Sequence, residues 1–135
     1  MPRPPVRRKI SPSPAAASPA ASLALARELA RLLAEKKARR LRLLDVGARC
    51  SYTDFVILAS AGNERHARAL ADHLSESMKE RRRRPLGIEG VDAGQWVLLD
   101  FGDAVVHILQ EPVRELYDLD RLWPDSIEHP AGEGE

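Results

Sequence analysis

The run Gly94-Gln95-Trp96-Val97-Leu98-Leu99-Asp100-Phe101-Gly102-Asp103-Ala104-Val105-Val106-His107-Ile108-Leu109 constrains the chain most. Two apolar stretches of strand length meet at Gly102-Asp103. Glycine first in a two-residue loop suits a type II′ turn, whose twist matches that of antiparallel strands. Pairing Phe101 with Ala104 then fixes the register. Because side chains alternate along a strand, one face carries Val97, Leu99, Phe101, Val106 and Ile108. The other carries Trp96, Leu98, Asp100, Val105, His107 and Leu109. The first face reads as core. The second sets a large aromatic beside Asp100 and His107 and reads as a half-exposed contact surface. On that reading, Trp96→Ala leaves the fold intact and weakens partner binding by roughly 2 kcal/mol or more.

The rest of the chain supplies what the hairpin packs against. Ser22 is an expected N-cap for a helix over about 23–39, with Leu25, Ala26, Leu29, Leu32 and Leu33 on one face. Strands are expected over 41–46, 52–59 and 86–90. Asn63 caps a second helix over about 64–82, whose buried stripe is Ala67, Leu70, Ala71, Leu74 and Met78. Pro112 opens a short helix through Tyr117, and Asp118 caps one further turn holding Leu119, Leu122 and Trp123. Strands interleaved with helices imply an α/β (α+β) fold. The expected form is a mixed five-stranded sheet with a C-terminal β-hairpin and flanking helices. Residues 1–22, rich in Pro, Ala and Arg, and the acidic stretch 124–135 are expected to be disordered tails on one domain, 23–123.

Composition narrows the function classes. A net charge of +1 gives no bulk field for nucleic acid. The single cysteine, Cys50, rules out an intrachain disulfide and suits a reducing cytoplasm. No apolar run reaches membrane-spanning length, so a cytoplasmic chain without a membrane partner is expected.

A search for catalytic groups finds none that holds together, and no cofactor or metal is expected. Cys50 has no nearby histidine in sequence and reads as a spectator thiol. Asp54 opens a strand, where a carboxylate usually caps or faces a turn. His66 and His73 lie seven apart on a helix, about 10 Å along its axis, too far to share one ion. Asp100 and His107 are diagonal neighbours without a nucleophile, and Asp100 and Asp103 straddle a turn. The run Arg81, Arg82, Arg83, Arg84 closes the second helix. It suits either contact with RNA phosphate or complementation of the helix dipole.

The combination of segments resembles the ribosomal silencing factor (Iojap-related) family. The likeness is carried by Trp96-Val97-Leu98-Leu99-Asp100-Phe101-Gly102-Asp103-Ala104-Val105-Val106-His107 and Arg114-Glu115-Leu116-Tyr117-Asp118-Leu119-Asp120-Arg121-Leu122-Trp123. Upstream, Leu44-Asp45-Val46, Thr53-Asp54-Phe55-Val56-Ile57, Arg65-His66, Ala71-Asp72-His73 and Pro85-Leu86-Gly87-Ile88-Glu89-Gly90 extend it in the same order. The resemblance covers about residues 23–123. The Pro/Ala/Arg leader and the four arginines depart from it. It implies a fold distantly like nucleotidyltransferases without their chemistry. It also implies docking on the fourteenth protein of the large ribosomal subunit, at the subunit interface, so that the small subunit is kept from joining and translation is repressed.

As partner contacts the resemblance carries over Trp96, Val97, Leu99, Asp100, Asp103 and Tyr117. The register sets Val97 and Leu99 on the core face, so the two lines of argument disagree there. An apolar patch around Trp96 would equally close a homodimer off the ribosome. The competing readings are a degenerate nucleotidyltransferase-like enzyme, which predicts nucleotide or Mg²⁺ binding near Asp54 and Asp100, and a factor for large-subunit assembly.

Overall fold

The hairpin forms where its turn chemistry and alternation place it, and the chain wraps around it. The structure, a computed structural model, describes residues 19–47 and 53–131. Expectations for most of the N-terminal tail, for Cys50 and for 132–135 lie outside the described residues. In chain order the elements are helix α1 (Pro19–Glu35), strands β1 (Arg39–Asp45) and β2 (Phe55–Ala61), and helix α2 (Glu64–Glu80). Strands β3 (Gly87–Glu89), β4 (Trp96–Asp100) and β5 (Ala104–Gln110) follow. Helix α3 (Glu111–Tyr117), a 3-10 turn (Leu119–Arg121) and strand β6 (Ile127–His129) complete the fold.

The strands form one sheet in the order β3-β4-β5-β2-β1-β6. Strands β2 and β5 run parallel at its centre and the other pairs are antiparallel. In the hairpin Asp100 pairs with Val105 and Trp96 with Leu109, so the expected register holds. The Phe101 amide donates to the Ala104 carbonyl at 2.9 Å, and Gly102 takes φ +87°, which only glycine adopts without strain.

Three layers result. The apolar stripes of α1 (Ala26, Leu29, Leu33) and α2 (Ala67, Leu70, Leu74) cover the face bearing Val97, Leu99, Phe101, Val106 and Ile108. Val113 of α3 and Leu119 of the 3-10 turn cover the opposite face, over Val56, Leu58, Trp96 and Leu109. Both faces of β4 are therefore buried along its whole length. The second face is not the half-open surface that its polar residues suggest, because α3 and the 3-10 turn form a roof over it.

Two boundaries differ from the sequence expectation. Helix α1 spans Pro19–Glu35, not 23–39. Ser22 does not cap it but sits buried within it, its Oγ donating to Asp54 Oδ2 at 3.0 Å. The helix closes early because Lys37 adopts φ 64°, with the Ala38 amide bonded back to the Leu33 carbonyl at 3.1 Å. The sheet also has six strands, not five. Within the stretch expected to fray, β6 pairs with the outer edge of β1, Leu43 opposite His129 and Asp45 opposite Ile127. Its acidity did not keep it in water because Arg42 holds Glu128 through Nε at 3.1 Å and Nη2 at 2.8 Å.

Candidate functional site

The roofed face gathers an aromatic row. Trp96 on β4 and His107 on β5 are diagonal neighbours, and the indole Nε1–H donates to His107 Nδ1 at 3.0 Å. That bond requires an unprotonated Nδ1. Tyr117, at the end of α3, lies against the indole with ring centroids 5.0 Å apart, and Trp123 lies 5.8 Å from His107. Both outer rings are half-buried. Next to them in sequence, Leu116 is 51% and Leu122 61% exposed. Exposed large aliphatic side chains flanking half-buried rings in the chain have the composition of a contact surface.

The roof is fastened by a buried guanidinium. Arg114 of α3 is 1% exposed. Its Nε and Nη2 donate to the two carboxylate oxygens of Asp120 at 2.7 and 2.8 Å. Its Nη1 donates to the Arg40 carbonyl and to Ser60 Oγ, both at 2.9 Å. Ser60 passes its own hydrogen to Glu111 at 3.1 Å. Asp120 in turn meets Arg42 at 3.1 Å. The charge is thus fully answered, and α3, the 3-10 turn, β1 and β2 are tied at one point.

The Arg114 guanidinium holds the Asp120 carboxyl well below the ordinary range, at about 2, against the opposing effect of burial and with help from Arg42 and Arg40. A depressed carboxylate contributes stability that is present above its unfolded value and is lost as pH falls through the folded one. The melting temperature of the protein is therefore expected to drop between about pH 4 and pH 2, and to drop less steeply in Asp120→Asn. Equal slopes for the two proteins in thermal melts would show that Asp120 is not the group responsible.

The sequence-derived candidates distribute unevenly over this geometry. Trp96 is 9% exposed and lies under the roof, not on the surface. Val97 and Leu99 are 0% exposed beneath α1 and α2, as the register required. Their carry-over as contacts does not fit the folded chain, since no partner reaches them without opening the core. Asp100 is also buried and accepts the Gly102 amide at 2.8 Å, bracing the turn. Asp103 is half-buried and lies 3.4 Å from Arg83, while its carbonyl takes the Asp54 and Phe55 amides. Of the six, Tyr117 alone adjoins an open leucine in the chain, Leu116. Leu116, Leu122 and Arg114 escaped sequence reasoning. The first two follow the helical period but fall on its wet side, and nothing marks Arg114 as the one arginine buried among the described residues.

The other candidates have structural duties. His66 accepts the Gly62 amide at Nδ1, 2.9 Å, and its Nε2 bonds the Lys36 carbonyl at 2.8 Å, clasping α2 to the end of α1. His73 bonds Glu35 at 3.0 Å, which lowers the Glu35 carboxyl. Among the described residues no three His, Cys, Asp or Glu side chains gather as a metal site, and no helix is long and apolar enough to cross a membrane.

Comparison with known proteins agrees with this architecture. A family profile described as "Ribosomal silencing factor during starvation" matches residues 19–134. A ribosomal silencing factor of Haemophilus influenzae is 37% identical over 79 residues, 58% of this chain and 78% of that protein. The mouse "Mitochondrial assembly of ribosomal large subunit protein 1" is 34% identical over 98 residues, 70% of this chain, which spans 43% of that protein's length. A crystal structure of a Chromobacterium violaceum protein superposes with a TM-score of 0.69 at 32% identity, covering 79% of this chain and 90% of that one.

Proposed function

This chain belongs to the ribosomal silencing factor family, and we propose that it acts in the cytoplasm as a non-catalytic stopper on the large ribosomal subunit. It docks on the fourteenth large-subunit protein, and its bulk keeps the small subunit from joining. The observation that carries this reading is the pair of open leucines, Leu116 and Leu122, beside the row Tyr117–Trp96–His107–Trp123. Obstruction needs only a grip on one neighbour, and this face offers one. Trp96 supports that face from beneath, while Val97 and Leu99 belong to the core under α1 and α2 and Asp100 braces the hairpin turn. Tyr117 touches the partner directly, and Asp103 lies at the hairpin end.

Gradient sedimentation of purified subunits with the full chain tests the reading. The wild type is expected to travel with the large subunit and to lower the joined fraction. Leu116→Asp/Leu122→Asp changes exposed positions, so its melting temperature should stay near that of the wild type. Its affinity should fall at least about tenfold, as for loss of an interface anchor. Co-sedimentation of the double variant at wild-type strength places the docking face elsewhere. A wild type that stays at the top of the gradient removes the proposal. A homodimer through the same leucines would appear as concentration-dependent size, abolished in the variant. Assistance in large-subunit assembly, named for the mouse relative, is the second reading; it predicts accumulation of immature large subunits when the chain is depleted.

A further inference from the structure

Resting on the ribosomal reading above, we infer that Arg82 and Arg84 grip the phosphate backbone of ribosomal RNA, at a second surface separate from the leucine face. The four arginines after α2 divide into two alternating pairs. Arg81 meets Glu28 at 2.7 Å, and Arg83 donates to the Phe101 carbonyl at 3.0 Å beside Asp103. Those two are engaged by the fold and fasten the helix end to α1 and to the hairpin, although Arg81 is itself exposed. Arg82 and Arg84 are exposed, and neither meets a carboxylate among the described residues.

The backbone makes Arg82 the more telling of the two. The Arg82 amide bonds the Lys79 carbonyl at 2.9 Å and the Arg83 amide bonds the Met78 carbonyl at 2.8 Å. This double closure is the Schellman motif, whose left-handed position favours glycine. Arg82 occupies that position at φ 59°. Its β-carbon strains the chain there, and glycine would relieve the strain. The helix dipole calls for positive charge at this end, but Lys79, Arg81 and Arg83 already supply it. Among the described residues, this strained, solvent-facing guanidinium has no internal task.

The neighbourhood suits an interface. Leu86 and Ile88, which follow directly, are 51% and 39% exposed. Exposed arginine beside exposed aliphatic surface is the composition of binding patches. The planar fork of a guanidinium matches phosphate oxygens two at a time, and a ribosomal subunit presents phosphate far more densely than carboxylate.

The test is a titration of purified large subunits with the full chain over a series of salt concentrations. It compares the wild type with Arg82→Gln/Arg84→Gln and with Arg82→Gly. The double variant is expected to bind about tenfold more weakly near 0.1 M salt, with the slope of log K against log salt reduced by about 2. Arg82→Gly is expected to bind several-fold more weakly while its melting temperature rises by roughly 2–5 °C, a pairing that a structural role cannot produce. Wild-type affinity and slope in the double variant, while the wild type binds, overturn the inference and leave the docking proposal standing. Weaker binding with an unchanged slope also overturns it. A wild type that fails to bind at all removes the ribosomal reading, and this inference with it.

Discussion

Trp96→Ala is expected to lower the stability of this protein by about 3–5 kcal/mol, a large share of what a domain of this size possesses. Three losses combine. The indole packs with Leu109, Val113 and Leu119 under the roof, so its removal leaves a cavity that β4, fixed between two strands, cannot collapse into. The ring contact with Tyr117 goes as well. His107 Nδ1, in a side chain 8% exposed, loses the donor that satisfies it. Urea denaturation of the purified variant measures the sum. Trp96→Phe keeps much of the apolar volume and loses the N–H, so it should fall about 1–2 kcal/mol short of the wild type. A loss below about 1 kcal/mol for the alanine variant would mean that the ring behaves as a surface residue, as its polar neighbours in sequence suggested.

Arg114→Met carries the second large effect, a loss of about 3 kcal/mol. Methionine fills most of the volume but cannot donate, so the Arg40 carbonyl loses a donor and Ser60 keeps only its bond to Glu111. Asp120 loses the bidentate partner that answers its charge, although Arg42 remains. Arg114→Lys should recover little, because one ammonium cannot span a carboxylate, a carbonyl and a hydroxyl held in a planar fork. The roof loosens with this bond network, so subunit binding should weaken along with chemical stability. Full stability in Arg114→Met, measured by the same denaturation, would show that the network orders the roof without holding it down.

The hairpin, its register and the division of its faces were legible because they rest on local chemistry: a glycine-led two-residue turn and strict alternation. The buried stripe of α2 and its Asn63 cap followed from the helical period in the same way. What sequence could not show was coverage. Nothing local to Trp96 reports that α3 will fold back over it, or to Asp100 that it will be buried against its own turn, so two buried polar groups read as a surface. The ends of α1 depart from the sequence expectation for related reasons. Ser22 resembles a cap until Asp54, distant in the chain, arrives to bond it, and Lys37 in a left-handed turn carries no glycine to announce the stop. Strand β6 is a three-residue element that depends on Arg42, and a charge read by itself as a solvated tail is in fact one half of a pair. The docking candidates divide along the same line. Of the residues identified by resemblance, Val97 and Leu99 lie in the core, Asp100 and Asp103 hold the turn and Trp96 lies under the roof, while the exposure of Leu116 and Leu122 is visible only with the roof in place.

The placement of β6 has a further consequence. Without it, β1 would present a free row of amides and carbonyls along the sheet's outer border, a template on which another copy's strand can align. Three residues near the end of the described chain therefore act as a selvedge along Leu43–Asp45, and their loss is expected to make that margin adhesive.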